Sequence, residues 1–352
     1  MTRTGKIIFL IMLLPACVVA GILVYAITWE YECYFKAITF NRNGDAMLTL
    51  ENGSEILLWD VTAGRDVRAM RKPYLTEGAD HIAFSPDGRK AVSGGTDGVI
   101  LWDIDTGRML HVFEGSCPLP ANSSGPCVAF TPDGGFILAG DSEFRLILWN
   151  AEKYTMERTF VYDPAEQKTA AERDVRCISF APDGRTVLTA GDRLVLWNVK
   201  SGRRIRIFDG HKKAVISAAI TSDGQHIVSG AFDETLKIWS LELGEEISSL
   251  QLGHYPQSIA FSPDGRYALT GETHGGLKAW DMKKGVFRFT LNGSEKGVLS
   301  IAVSPDNAKV VAGLNGTMKM WDLHTGKELL TFRRNPTFSL IMNDLVWAHV
   351  KI

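Results

Sequence analysis

Apolar residues in this chain fall in short alternating runs broken by polar tetrapeptides, without the three-to-four spacing of helices. One unit shows the pattern: Ile82-Ala83-Phe84, then Lys90-Ala91-Val92, then Ile100-Leu101-Trp102. A period of two places one face of a strand on a core, so each run predicts a short strand. Between the first and second runs stands Ser-Pro-Asp-Gly at 85–88. Proline presets the backbone at one turn position and glycine tolerates a positive φ at a later one, so the tetrapeptide is a tight turn between two strands. It recurs as Asn-Arg-Asn-Gly at 41–44, Thr-Pro-Asp-Gly at 131–134 and Ala-Pro-Asp-Gly at 181–184. Thr-Ser-Asp-Gly at 221–224, Ser-Pro-Asp-Gly at 262–265 and Ser-Pro-Asp-Asn at 304–307 complete the series. Seven hairpins are predicted.

The third run of each unit ends on tryptophan. Trp59, Trp102, Trp149, Trp197, Trp239, Trp280 and Trp321 are separated by 43, 47, 48, 42, 41 and 41 residues. Asp60, Asp103, Asn150, Asn198, Asp281 and Asp322 follow six of them, and only Ser240 departs. A Thr-Gly-like turn comes next, as in Ala63-Gly64, Thr106-Gly107, Ser201-Gly202 and Thr325-Gly326, leading to a fourth strand such as Arg108–Phe113 or Lys327–Phe332. A period in the forties is one supersecondary unit, and four antiparallel strands repeated seven times predict an all-β, seven-bladed propeller.

Over roughly residues 34 to 334 this pattern resembles the WD-repeat β-propeller family, and in particular bacterial-type members with an N-terminal membrane segment. The resemblance implies a hydrogen-bonded tetrad in each blade: a His before the first strand, a Ser or Thr, a turn Asp and the blade Trp. Blade five matches in full with His211, Ser229, Asp233 and Trp239. Blade six offers His254, Thr270 and Trp280 but places His274 where Asp is expected, and blade seven has Asn315 at the turn. A His–Asp pair also suggests a catalytic dyad. With no nucleophile evident beside it, His211 reads as a strut.

The start of the chain departs from the repeat. Residues Ile7 to Trp29 carry no charge for 23 positions; at a helical rise of about 1.5 Å per residue they cover a hydrocarbon core of about 30 Å. Trp29, Tyr31 and Tyr34 supply interfacial rings, while Arg3 and Lys6 precede the segment and Glu30 and Glu32 follow it. That bias predicts a single-pass transmembrane helix with its N-terminus in the cytoplasm and the propeller outside. Two alternatives remain open: lipidation at Leu14-Pro15-Ala16-Cys17, or cleavage after Val18-Val19-Ala20. The apolar stretch Ile22 to Trp29 favours the uncleaved anchor. The expected organisation is an anchor at 1–32, a propeller at 33–334 and a tail at 335–352 that could add a strand.

Charge and chemistry narrow the function. Thirty-eight basic residues nearly cancel 40 acidic ones at a net charge of −2, which argues against a nucleic-acid backbone as partner. Cys117 and Cys127 bracket a Pro/Gly-rich loop and could form a disulfide in an oxidising compartment, or be small buried side chains. No motif for a nucleophile, a metal or a phosphate appears, so no catalytic residue, metal ligand or cofactor is assigned. His81 is the one ionisable residue at the channel-flanking positions singled out on the first strands, where mostly Ala, Ser, Thr and Cys are expected. The Asn-x-Ser/Thr triplets, such as Asn122-Ser123-Ser124, read first as turns. What remains is a non-enzymatic scaffold that binds a protein through the connections at 115–126 and 161–174. The longer one carries Asp163, Glu166, Lys168, Glu172, Arg173 and Asp174. The runner-up is a propeller that binds or hydrolyses a small molecule in its channel, against which the small, neutral lining argues. The resemblance also implies a ring closed by one terminus completing the other's blade, yet seven full units in one frame leave that latch without a role.

Overall fold

A computed structural model describes residues 35–51, 55–71, 79–95, 98–113, 127–140, 146–160, 175–272, 276–293, 297–314 and 316–332. The apolar segment 7–29, Cys117, the connections 115–126 and 161–174, His274, Asn315 and the tail all lie outside these residues. Every regular element among the described residues is a strand, and the strands form seven antiparallel sheets of four, each in sequence order from inner to outer. These blades span residues 35–71, 79–113, 128–160, 175–208, 215–251, 258–291 and 298–332.

The hydrophobic pattern explains the layering. Second and third strands are sandwiched between neighbouring blades and therefore read as nearly continuous apolar runs, as in Gly98–Asp103, buried at all but its last position. Outer strands face solvent and mix charge with apolar residues, as in Glu246–Gln251. At the hairpin between inner and second strand, the turn glycine holds φ between 68° and 76° in six blades, and Asn307 takes 59° in the seventh. A side chain there meets the left-handed penalty that glycine avoids. Each third strand slips register against its outer strand just before the tryptophan, for example between Leu101 and Trp102. That bulge deepens the local twist.

Adjacent blades pack through their inner strands in a closed cycle from blade one to blade seven and back. One contact recurs at the seams: the last apolar residue of an outer strand covers the next blade's tryptophan. Phe113 lies 5.3 Å from Trp149, Phe160 6.0 Å from Trp197 and Phe208 5.9 Å from Trp239, centroid to centroid. Phe332 does the same to Trp59 at 5.7 Å, so blade seven closes on blade one as any blade closes on the next. Ser300 donates to the Phe35 carbonyl at 2.7 Å across that junction, and Gly313 leaves room for Phe35, whose Cβ would stand 2.6 Å from an added β-carbon. No strand is exchanged between blades among the described residues.

Candidate functional site

The chemistry-bearing side chains gather at the ends of blades, and blade five has the fullest set. His211 comes from the connection entering the blade, Asp233 from the turn between its second and third strands, and Ser229 and Trp239 from those two strands. The Trp239 indole N–H donates to Ser229 Oγ at 2.8 Å, and Ser229 Oγ lies 2.8 Å from His211 Nε2. His211 Nδ1 lies 3.0 Å from Asp233 Oδ2. Asp233 also accepts the backbone N–H groups of Lys212 at 2.8 Å and Thr235 at 3.1 Å, and the Thr235 hydroxyl at 2.7 Å. The donor sequence runs one way when His211 is neutral with its proton on Nδ1. Burial holds His211 below its ordinary range, against the pull of Asp233. For Asp233, burial pushes upward, but the hydrogen bonds from Thr235, Lys212 and His211 outweigh it and keep the carboxylate low.

The sequence showed no nucleophile beside this pair, and the structure corrects that: Ser229 completes the atom order of a Ser–His–Asp relay. The order alone cannot run the reaction. Ser229 is fully buried, its oxygen already accepts the Trp239 N–H, and a substrate carbonyl has no path to it. A general-base triad needs its nucleophile exposed beside an oxyanion site. Here the same bonds tie a connection, a turn and two strands together.

Other blades keep parts of the network. Thr49, Ser93, Thr189 and Thr270 accept their blade tryptophans' N–H at 2.8, 2.9, 2.9 and 2.9 Å. Blade seven has Ala312 at that register, and Trp321 turns to the Asn292 carbonyl at 3.0 Å. Blade three has Ala139, and the Trp149 N–H is buried without an acceptor. In blade six Glu272 supplies a carboxylate, with Oε1 2.7 Å from His254 Nε2. Lys278 reaches the same oxygen at 2.5 Å. Glu272 stands two residues before His274, outside the motif, so the pattern could not single it out.

These units match a known repeat. The model of the family described as "WD domain, G-beta repeat" fits residues 77–103, 108–150, 166–197, 202–240, 244–281 and 285–322, more than half of the chain. The chain belongs to the WD-repeat family. Blade one falls outside those matches yet has the same four strands and a Trp59–Thr49 bond. The match at 108–150 starts on the outer strand of blade two and ends on the Trp149-Asn150 pair of blade three, so the WD repeat straddles a seam. Among curated relatives, rat apoptotic protease-activating factor 1 is 30% identical over 225 residues, covering 60% of this chain and 17% of that protein. A guanine nucleotide-binding protein subunit beta from Oryza sativa subsp. japonica is 27% identical over 261 residues, 68% of this chain and 67% of its own length. Autophagy-related protein 16 of Arabidopsis thaliana is 22% identical over 220 residues, 61% and 40% of the two chains. The chain thus spans less than a fifth of the first of these and two thirds of the second.

The inner strands of this WD-repeat propeller are less neutral than the sequence suggested. Lys36 and Asp80, on adjacent blades, pair at 2.9 Å, and the Arg176 guanidinium stands 5.5 Å over the Phe232 ring. His81 shares its register with Cys177, Ser217, Ser258 and Ser300. Those small residues join blades: Cys177 reaches the Ala218 carbonyl and Ser258 the Val298 carbonyl, both at 3.1 Å. Cys127, also proposed for a disulfide, is buried at the start of blade three. A cleft of about 730 Å³ between blades three and four is lined by Asp133, Glu157 and Asp183 against Arg158, Arg185 and Lys200, a balance that favours neither an anion nor a cation as ligand. Among the described residues no group of three His, Cys, Asp or Glu side chains could hold a metal ion.

Proposed function

We propose that this chain is a non-enzymatic scaffold that binds another protein, held in the membrane by residues 7–29 with its propeller on the extracytoplasmic side. The sealed blade-five network carries the first half of this reading: the one constellation with catalytic atom order among the described residues is committed to the fold. The kinship with WD-repeat chains such as subunit beta of the guanine nucleotide-binding protein supports a role in assembly. The uncharged run of 23 residues followed by interfacial aromatics supports the anchor. No helix among the described residues is long and apolar enough to cross a membrane, and 7–29 lies outside them.

The charged connection 161–174 is the proposed contact for the partner. Rim charges govern encounter rate and orientation, so Glu166→Lys with Glu172→Lys should weaken photo-crosslinked capture in native membranes, more so at low salt, without moving the melting temperature. If capture survives these changes and deletion of 164–172, yet fails when His81 is replaced, the channel is the site and a small-molecule reading takes over. A reporter fused after Ile352 that is active only in the cytoplasm would reverse the orientation.

A further inference from the structure

At six of the seven seams, one register position of the outer strand rests on the turn that follows the next blade's tryptophan. Arg68 crowds Gly107, Arg158 crowds Gly202, Arg206 crowds Gly244, Phe289 crowds Gly326 and Leu330 crowds Gly64, each closely enough that an added β-carbon would lie within 3.1 Å. The sixth contact, from blade two to blade three, is built differently. His111 lies flat on Tyr154, ring centroids 4.4 Å apart and planes 8° from parallel. Six blades put glycine at this turn, with φ between 64° and 78°, whereas Tyr154 accepts φ 60. A non-glycine residue there costs of order 1 kcal/mol, and such strain persists only where its surroundings hold it.

The same seam is exceptional in two further ways. Trp149, against which Phe113 packs, is the blade tryptophan whose buried N–H has no acceptor. The outer strand of blade two, Met109–Phe113, contains no Arg, Lys, Asp or Glu, while every other outer strand carries at least one. Met109, Leu110 and Val112 are 41, 39 and 38% exposed, and Met156 on the adjoining blade is 59% exposed. As the last strand of its sheet, this element turns alternate backbone N–H and C=O groups outward over Met109–Val112, and no further strand follows it in the sheet among the described residues. Proteins ordinarily protect such edges with lysine or another charge.

We propose that this edge accepts an extended, uncharged segment of a partner protein as a fifth strand of blade two, with apolar side chains at alternate positions. This deepens and rests on the scaffold reading. Main-chain hydrogen bonds supply the affinity in this mode, and the alternate side chains supply the choice of partner. Charge complementarity favours such a segment, because the strand itself carries no Arg, Lys, Asp or Glu to pair with a charged one laid along it. A second copy of this chain fits less well. Five residues at about 3.4 Å each, on a strand about 5 to 10 Å wide, cover roughly 85 to 170 Å² per side, far below the ~800 Å² that a dimer resting on this edge alone would need, whereas a scaffold partner adds this strand to its contact at 161–174.

The test uses the full chain in detergent and a synthetic peptide of about ten residues alternating Thr and Val. Binding should protect amides of Met109–Phe113 from hydrogen exchange, should be insensitive to salt, and should weaken at least about tenfold in a Leu110→Lys/Val112→Lys variant. Ile205→Lys, on the 49%-exposed equivalent face of blade four, should leave binding unchanged. No binding, equal protection of all seven edges, or full binding by the double-lysine variant overturns the proposal. So does a dimer in sedimentation that the two lysines abolish, which would make a second copy the occupant. Crosslinking through 161–174 reads the scaffold proposal separately: a protein captured there by the double-lysine variant leaves the scaffold standing when the edge fails.

Discussion

Replacing Ala139 with Ser should make this propeller more stable, because it supplies the acceptor that blade three lacks. Trp149 is 6% exposed and its indole N–H has no partner. Ser93 in blade two is the template: it lies opposite Ile100 and accepts from Trp102 at 2.9 Å, and Ala139 lies opposite Ile147 in the same register. An unpaired buried donor costs about 1–3 kcal/mol, while the new hydroxyl brings a proton that needs its own partner, so a net gain of about 1 kcal/mol is expected. In a propeller of about 300 residues that raises the melting temperature by about 1.5 °C. Reversible denaturant unfolding followed by tryptophan fluorescence would measure it. Two controls isolate the cause. Ala312→Ser should gain nothing, because Trp321 already donates to the Asn292 carbonyl. In a Trp149→Phe background Ala139→Ser should also gain nothing, since the donor is gone. A neutral or destabilising Ala139→Ser, or a gain that persists in the Trp149→Phe background, would refute the reasoning.

Ser229→Ala should cost about 3 kcal/mol, since it strands both the Trp239 N–H and His211 Nε2, whereas Ser93→Ala strands one group and should cost about half as much, both read by denaturant midpoint. Burial holds His211 and His254 below their ordinary range, so the unfolded chain binds protons first; stability is full above about pH 6.5 and declines as pH falls, and changing both to Gln should flatten that decline. Hydroxyls of Ser85, Thr131 and Thr221 hold Asp87, Asp133 and Asp223 below the usual carboxylate range; that contribution is present above about pH 4 and is lost as acid protonates them, a loss that Ser85→Ala should reduce in an acid titration. A Cys117–Cys127 bridge would stabilise by about 3 kcal/mol, and alkylation of both thiols in protein from an oxidising compartment would dispose of it.

The blades were legible in the sequence because their signals are local. A turn needs its Pro, Asp and Gly within four residues, and a tryptophan sits at a fixed distance from it, so blade one appears even where the family model does not match. The blade-five tetrad was legible for the same reason: its members keep a fixed spacing within one repeat. What the pattern missed either lies off the repeat's motif or depends on contacts between repeats. Lys36 meets Asp80 across 44 positions, and neither is marked by its neighbours. Glu272 reaches His254 from the end of a strand, two residues off the motif. Tyr154 stands out only when seven turns are superposed, and its meaning comes from His111 on another blade.

The way the ring shuts decides how it would break. With no strand shared across the junction among the described residues, blades seven and one are joined by the cluster of Phe35, Trp59, Val311, Met318 and Phe332 and by the Ser300–Phe35 bond. Among the described residues, a pull applied between Phe35 and Phe332 therefore separates packed side chains and meets no ladder of hydrogen bonds to shear. The junction should part at low force, after which blades peel off one by one in a sawtooth of similar steps.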